Sequence, residues 1–471
     1  MTVPPIPEQI RARMTADGAP PLVMEAFLQN VQRWNDGDVG TIPGASLAPL
    51  GRLPRLDELD EFNPAGESAI RQTILLKLNG GLGTSMGLEQ AKSLIIAKNG
   101  LSFLDIIVRQ VEFLRQRCRA PLPLLLMNSF STEADSLAAL AQTHPRFRNP
   151  GDLPLSFVQH RVPKLSAATR APISWPAQPA LEWCPPGHAD IYLALQTTGL
   201  LDNLLASGFR YAFVSNADNL GALLHMGILG HIASHNVPFL MEVTARTECD
   251  RKGGHLARDA ATGRLLLRES AQCPPDETAD FQDITKFALF NTNNLWLDLA
   301  ALREMLRAAS GLPQLPLIVN RKTVDPVQND SPAVVQLEAA MGSAISCFDH
   351  AAALVVPRFR FAPVKTTNDL LAIRSDLYTL GEEHQVALHP QRFSPPPAIT
   401  LDSRYYRQIA DFEQRFAQGA PSLLACDSLD ITGDIHFGAN IRIEGAVRLH
   451  NPTDTPARIA DGSRLHTPIR P

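Results

Sequence analysis

The stretch Leu75-Leu-Lys-Leu-Asn-Gly-Gly-Leu-Gly-Thr-Ser-Met-Gly87, followed by Lys92, constrains the fold more than any other part of the chain. An apolar run of strand length leads directly into a glycine loop beside a cation. Gly80, Gly81, Gly83 and Gly87 remove the side chains that keep backbone N–H groups away from an anion, and they permit the positive φ of a tight loop. With the charge of Lys92 added, the segment reads as a phosphate cradle at the end of a buried strand. Two familiar phosphate loops fail on spacing. A Walker loop has Gly immediately before its Lys, where this chain has Ala91, and Gly81, Gly83 and Gly87 are one residue too wide for Gly-x-Gly-x-x-Gly.

Between about 70 and 390, apolar strand-length runs alternate with helical spacing. The pattern predicts strands at Thr73 to Leu78, Leu122 to Met127, Leu155 to Val158 and Tyr211 to Ser215, and helices at Phe103 to Arg117, Thr132 to Gln142 and Asp190 to Ser207. Strands apolar on both faces and separated by helices indicate an α/β fold with a mostly parallel sheet, whose ligands sit beyond the carboxyl ends of the strands. The Gly loop, Asn128-Ser129, Gln159, and Asn216 with Asp218 all fall at such ends. Residues 1–60 read as a helical arm and linker, 61–395 as the main α/β domain and 396–471 as a C-terminal domain. In the last of these, Leu429, Ile435, Ile441 and Val447 recur every six residues, as do Ile431, Phe437, Ile443 and Leu449, which predicts a short hexapeptide β-helix. Its open end calls for capping by residues 451–471 or for pairing with another subunit, a homo-oligomer through this domain.

At 471 residues the chain exceeds what one core serves. A net charge of -5 and a pI near 6.2 argue against a nucleic-acid partner or an acidic membrane surface, so any anionic ligand must be held by locally placed cations, backbone donors and metal. Six scattered cysteines without a C-x-x-C pair and an N-terminus without a basic and apolar leader predict a cytoplasmic protein. His231 and His235 have helical metal-ligand spacing but lack a third ligand nearby, so they read as ordinary histidines.

The wording of the loop, Lys77-Leu-Asn-Gly-Gly-Leu-Gly-Thr-Ser-Met-Gly87, closely resembles the signature of the UTP:glucose-1-phosphate uridylyltransferases. The resemblance continues in order through Leu126 to Phe130, Pro185 to Asp190, Phe213 to Gly221, Met241 to Thr244, Lys252 to Gly254, Phe290 to Trp296 and Pro363 to Leu370. It implies a Rossmann-like nucleotidyltransferase core, a C-terminal β-helix that is left-handed, and transfer of the uridylyl group of UTP to glucose 1-phosphate with Mg2+ as cofactor. Carried over by motif, it implies Lys92 and Lys365 as the catalytic phosphate lysines, and Leu78, Asn79, Gly80, Gly81, Gln159, Gly187 and Asn216 around the nucleotide. His188, Asn216 and Asp218 are implied at the sugar phosphate, with Asp218 also the metal carboxylate. Glu242, Asn291 and Asn293 are read as lining the sugar pocket, because discriminating one hexose requires groups that the wrong hydroxyl pattern leaves unpaired.

A sugar 1-phosphate is already anionic near neutral pH and needs no general base, so lysines, backbone donors and Mg2+ are the appropriate tools. Arg161 and Lys252 read equally as phosphate contacts or solvated charges. The chain departs from the family at Leu88-Glu-Gln-Ala-Lys92, which lacks the usual extra Lys and Gly-Pro, and at Gly187-His-Ala189, usually Gly-His-Gly. Ser85 stands where many other sugar nucleotidyltransferases carry arginine, which favours glucose. The alternative is the same transfer to galactose 1-phosphate or an N-acetylhexosamine 1-phosphate. A nicotinamide-dependent oxidoreductase, with Asp105 as ribose ligand, fails on the glycine spacing, and a non-catalytic sugar-nucleotide sensor does not need Lys92, Asp218 and Lys365 together.

Overall fold

The computed structural model of the protein describes residues 4–247, 250–326, 328 and 330–466. Cys249 lies outside them, and the other five cysteines are free thiols. A ten-stranded sheet organises the chain. Its strands are β1 (Leu47–Ala48), β2 (Thr73–Asn79), β3 (Leu124–Asn128), β4 (Ser156–Val158), β5 (Tyr211–Asn216), β6 (Phe239–Ala245), β7 (His255–Asp259), β8 (Leu265–Arg268), β9 (Leu289–Asp298) and β10 (Ala352–Val355). The main order is β1-β7-β9-β5-β2-β3-β4, with β6 joining β9 to β10 and β8 pairing β7.

The sheet is mixed, which corrects the expectation of a mostly parallel one. Strands β5, β2, β3 and β4 run parallel, as do β6 and β10, but β9 is antiparallel to both β5 and β6, and β7 is antiparallel to β1, β8 and β9. The physical reason is that burial on both faces makes a strand apolar whichever way its neighbours run. Alternation then divides each strand between two cores. Leu75, Leu124, Leu126 and Phe213 face one core, with the helices Phe103–Cys118 and Met226–His235. Ile74, Leu76, Leu125, Met127 and Val214 face the other, with the helices Asp190–Thr197, Leu200–Ala206 and Leu299–Ala308. The helix expected across Asp190 to Ser207 is broken at Gly199, whose φ of +70° ends one segment and caps the next.

Two N-terminal helices, Ile6–Ala16 and Pro21–Asn35, form a third core through Ile10, Met14, Phe27, Val31 and Trp34. They pack on a small sheet of Leu165–Ser166, Ile318–Thr323 and Ala333–Glu338. At the other end of the chain, β11 (Ala398–Leu401), β12 (Ser422–Thr432), β13 (Ile435–Phe437), β14 (Arg442–His450), β15 (Ala457–Ile459) and β16 (Arg464–His466) pair only in parallel. Leu429 pairs with Val447 and Ile435 with Ala457, so the chain returns to register after 18 and 22 residues. The period-six residues Leu429, Ile431, Ile435, Phe437, Ile441, Ile443 and Val447 are all buried. The His231 and His235 rings lie tilted against each other and both meet Phe62 edge-on.

Candidate active site

Because β2, β3, β4 and β5 are parallel, their carboxyl ends share one edge of the sheet, where the backbone turns out of the ladder and leaves groups for a ligand. The glycine loop leaves β2 there and is folded back on itself: the Lys92 N–H donates to the Gly81 carbonyl at 3.1 Å, and Leu82 bridges Ala91. This carries Lys92 across to the end of β5, where its Nζ donates to Asp218 Oδ2 at 2.6 Å. Both side chains are mostly enclosed, at 16% and 19% exposure. Asn79 turns its amide inward to Asn128 Oδ1 and Ser136 Oγ, so its side chain holds β2 to its neighbours and only its backbone faces the loop. The Leu78 carbonyl is taken by the N–H of Ala217, and the Asn216 carbonyl by that of Asn219.

Gln159 forms a second corner. Its N–H donates to the Asn128 carbonyl at 2.8 Å, and its amide lies against Gly80 so closely that a Cβ there would come within 2.7 Å of Nε2. Behind it, Asp190 accepts from the N–H of His160 at 2.6 Å and contacts its Nδ1, while Thr197 Oγ1 meets Nε2. Gly187 is required twice over: its φ is +86°, and a Cβ would sit 2.3 Å from the Ala339 carbonyl oxygen. The Ala339 N–H donates to Pro186 and its carbonyl accepts from Ala189, so the turn is clipped to that strand end. A cavity of about 320 Å³ lies behind the turn, away from the cleft, bounded by Phe27, Pro186, Ala189, Leu315 and Ala339.

His188 Nδ1 accepts from the Met341 N–H at 2.9 Å, which places the proton of the neutral ring on Nε2 and makes that atom a donor. Burial pushes its pKa down to about 4 from 6.5. The unfolded chain therefore takes up this proton at a higher pH than the native ring does. Its stability contribution is complete above about 6.5 and falls as pH drops from about 6.5 to about 4. His255, stacked on Phe287 and pushed to about 3 chiefly by burial, adds to the same loss. Thermal melts from pH 7 to pH 4 are expected to show a falling Tm, with a shallower slope in His188→Gln.

The third corner is built by long-range pairing. Asn219 bridges Pro363, and the Val364 N–H donates to the Asp218 carbonyl at 3.2 Å, which brings Lys365 to the same cleft. The Lys365 ammonium acts on Glu269, whose pKa burial raises and Lys365 lowers. Glu269 packs on Gly254, where a Cβ would be 2.5 Å from Oε2, and Phe290 packs on Gly253 in the same way. Asn291 donates from Nδ2 to Asn293 Oδ1 at 2.9 Å, and its N–H meets the Gly254 carbonyl. Sequence reasoning missed Glu269; its one signal is an acid immediately after the apolar strand β8. Glu242 lies beneath this surface rather than on it, one hydrogen-bonded neighbour removed from Asn219. It is fully buried, with its oxygens engaged by Arg360, Asn294 and Trp296. Arg161 pairs with Asp17, and Lys252 is exposed. Among the described residues no three His, Cys, Asp or Glu side chains converge as a metal cage, and no helix is long and apolar enough to cross a membrane.

This constellation, a glycine loop, a Lys–Asp contact and a second lysine brought from far along the chain, can be compared with known proteins. A sequence model of the UTP–glucose-1-phosphate uridylyltransferases matches residues 24–444. The chain belongs to that family. A UTP–glucose-1-phosphate uridylyltransferase from Solanum tuberosum is 39% identical over 428 residues, 90% of this chain and 85% of the relative, and one from Hordeum vulgare is 39% identical over 450 residues, 93% and 91%. A mutant UDP-glucose pyrophosphorylase from Leishmania major in complex with UDP-glucose superposes with a TM-score of 0.91 at 40% identity, covering 99% of each chain. A UDP-glucose phosphorylase from Trypanosoma brucei gives 0.90 at 41%, covering 99% of this chain and 100% of its own. As uridylyltransferase-family architecture, the mixed sheet places the loop, the Gln159 corner and the Lys365 corner around one opening.

Proposed function

We propose that the protein transfers the uridylyl group of UTP to glucose 1-phosphate, releasing pyrophosphate and forming UDP-glucose, reversibly. The observation that carries this reading is the Lys92–Asp218 contact at 2.6 Å, which sets a cation and a carboxylate between the Gln159 corner and the Lys365 corner. Gln159 both donates and accepts on a pyrimidine edge, with Gly187 giving backbone access to the base. Gly80, Gly81 and Lys92 hold the triphosphate, and His188 donates from Nε2 to the sugar phosphate together with Asn216. Lys365 faces Lys92 across the developing charge, and Glu269 and Asn291 accept and donate at the sugar hydroxyls. An oxygen of glucose 1-phosphate attacks the α-phosphorus as the bond to pyrophosphate breaks, in line and without a covalent intermediate.

A single carboxylate beside phosphate oxygens suits Mg2+, which takes one or two carboxylates and completes its shell with phosphate and water. Asp218 would hold it, and the ion supplies charge neutralisation for the departing pyrophosphate. With substrate bound, Lys92 would turn from Asp218 to the polyphosphate, freeing the carboxylate that would hold the ion. We also read residues 61–395 as the catalytic unit, 396–471 as a C-terminal domain with a short left-handed β-helix that can join subunits, and the protein as cytoplasmic.

The test is pyrophosphate release from UTP with Mg2+ and a panel of sugar phosphates. UTP with glucose 1-phosphate should exceed every other pair. Equal efficiency with ATP would remove the uridylyl assignment, and faster turnover of galactose 1-phosphate or an N-acetylhexosamine 1-phosphate would move the sugar assignment to that alternative.

A further inference from the structure

The N-terminal arm packs on the Gln159 corner through an apolar contact with Val162 and Cys184 and through a bidentate ion pair. Asp17, at the end of the helix Ile6–Ala16, takes the Arg161 guanidinium with both oxygens, from Nε at 2.8 Å and from Nη2. The same guanidinium lies over two aromatic rings, Phe130 at 5.4 Å and Trp183 at 5.1 Å. Each ring belongs to a different wall of the corner. Phe130 follows Asn128-Ser129 at the end of β3, and Trp183 opens the segment that runs through Pro186 into the Gly187 turn. Arg161 itself is two residues past Gln159. Arg13 of the same helix adds a second contact, its guanidinium 5.5 Å from the Trp183 ring and paired with Glu182.

The back of the turn is held by the backbone bonds of Pro186 and Ala189 to Ala339, with no charged clamp among the described contacts there. The cavity of about 320 Å³ touches Pro186 and Ala189, so these residues miss packing partners on that side. A planar guanidinium held by a bidentate carboxylate is a rigid plate, unlike a lysine on a flexible stem. We infer that Asp17 and Arg161 are positioning residues, a clamp by which the N-terminal arm sets the spacing between Gln159 and the Gly187 turn and thereby the fit of the nucleotide base. The inference rests on the assignment of that corner to the base of UTP.

Asp17→Asn and Arg161→Lys should each raise KM for UTP about tenfold, less than the about 10²-fold that a 1 Å misplacement can cost. KM for glucose 1-phosphate and kcat should stay within about twofold, because Lys92, Asp218 and Lys365 lie outside the clamp. Asp17→Glu, which keeps a carboxylate for the fork, should recover most of the loss. A merely structural arm would instead lower Tm and move all kinetic parameters together. Direct titration of UTP separates the two levels of the argument: wild-type protein that binds UTP but makes no UDP-glucose removes the proposed activity, whereas variants that bind UTP as tightly as wild type overturn the clamp. A joint rise in both KM values with a fall in Tm overturns it as well.

Discussion

Lys92→Ala should lower kcat for UDP-glucose formation by about 10²–10³-fold, the ~2.7–4 kcal/mol lost when one preorganised partner of developing charge is removed. The loop around it would survive, because the Lys92 N–H to Gly81 bond and the Leu82–Ala91 bridge are backbone contacts that alanine keeps. The Nζ atom is irreplaceable in a different way. This chain lacks the extra lysine usual before the loop lysine, reading Leu88-Glu-Gln-Ala91 instead, so no other loop cation stands in for it. The variant also leaves Asp218 without its 2.6 Å partner, which removes the pairing that sets the carboxylate before substrate arrives. Asp218→Asn should act through the metal, raising the Mg2+ concentration needed for half-maximal rate. Steady-state kinetics at saturating substrates, with a melting curve to show intact fold, check both. A Lys92→Ala enzyme within tenfold of wild type would return the phosphate role to backbone N–H groups alone.

What could be read from the chain beforehand was local. Strand β2, the glycine loop and the strand-end positions of Asn128, Gln159 and Asn216 follow from runs of apolar residues interrupted by polar ones, and such signals reside within a dozen residues. Strand direction was not legible, because Phe213 and Trp296 face the same core from antiparallel strands and leave the same apolar trace that a parallel pair would. Glu269 escaped for a related reason: an acid at a strand end is a weak local signal, and only Gly254 and Lys365, distant in sequence, make its carboxylate part of the cleft. The Asp17–Arg161 pair joins residues 144 apart. In each case the missing information was the identity of a tertiary partner, which residue type and periodicity do not carry.

Glu242 shows how the same gap misassigns a residue, and it yields the largest expected effect on stability. The motif around it suggested a sugar ligand. Its carboxylate is instead fully buried against an Arg360 side chain only 3% exposed, with Nε donating at 2.8 Å and Nη2 at 2.7 Å, while Asn294 and the Trp296 indole donate to the same two oxygens. Lys77 lies in the same region, donating to Ser215 Oγ at 2.7 Å, its pKa lowered to about 7 by burial first and by Arg360 second, with Glu242 opposing. Glu242→Ala therefore leaves Arg360 buried without its counter-anion and removes the negative charge that favours the charged form of Lys77. Breaking one side of such a pair costs about 3–5 kcal/mol, whereas replacing both partners with apolar residues of similar volume is often close to neutral. Chemical denaturation should accordingly show Glu242→Ala less stable than the double variant Glu242→Leu with Arg360→Met. The preference for glucose 1-phosphate over galactose 1-phosphate should be unchanged in whatever folded enzyme remains, since neither Glu242 oxygen is available to a hydroxyl. A Glu242→Ala protein of wild-type stability that no longer distinguished the two sugars would restore Glu242 to the sugar pocket and require the cleft to open far enough to expose it.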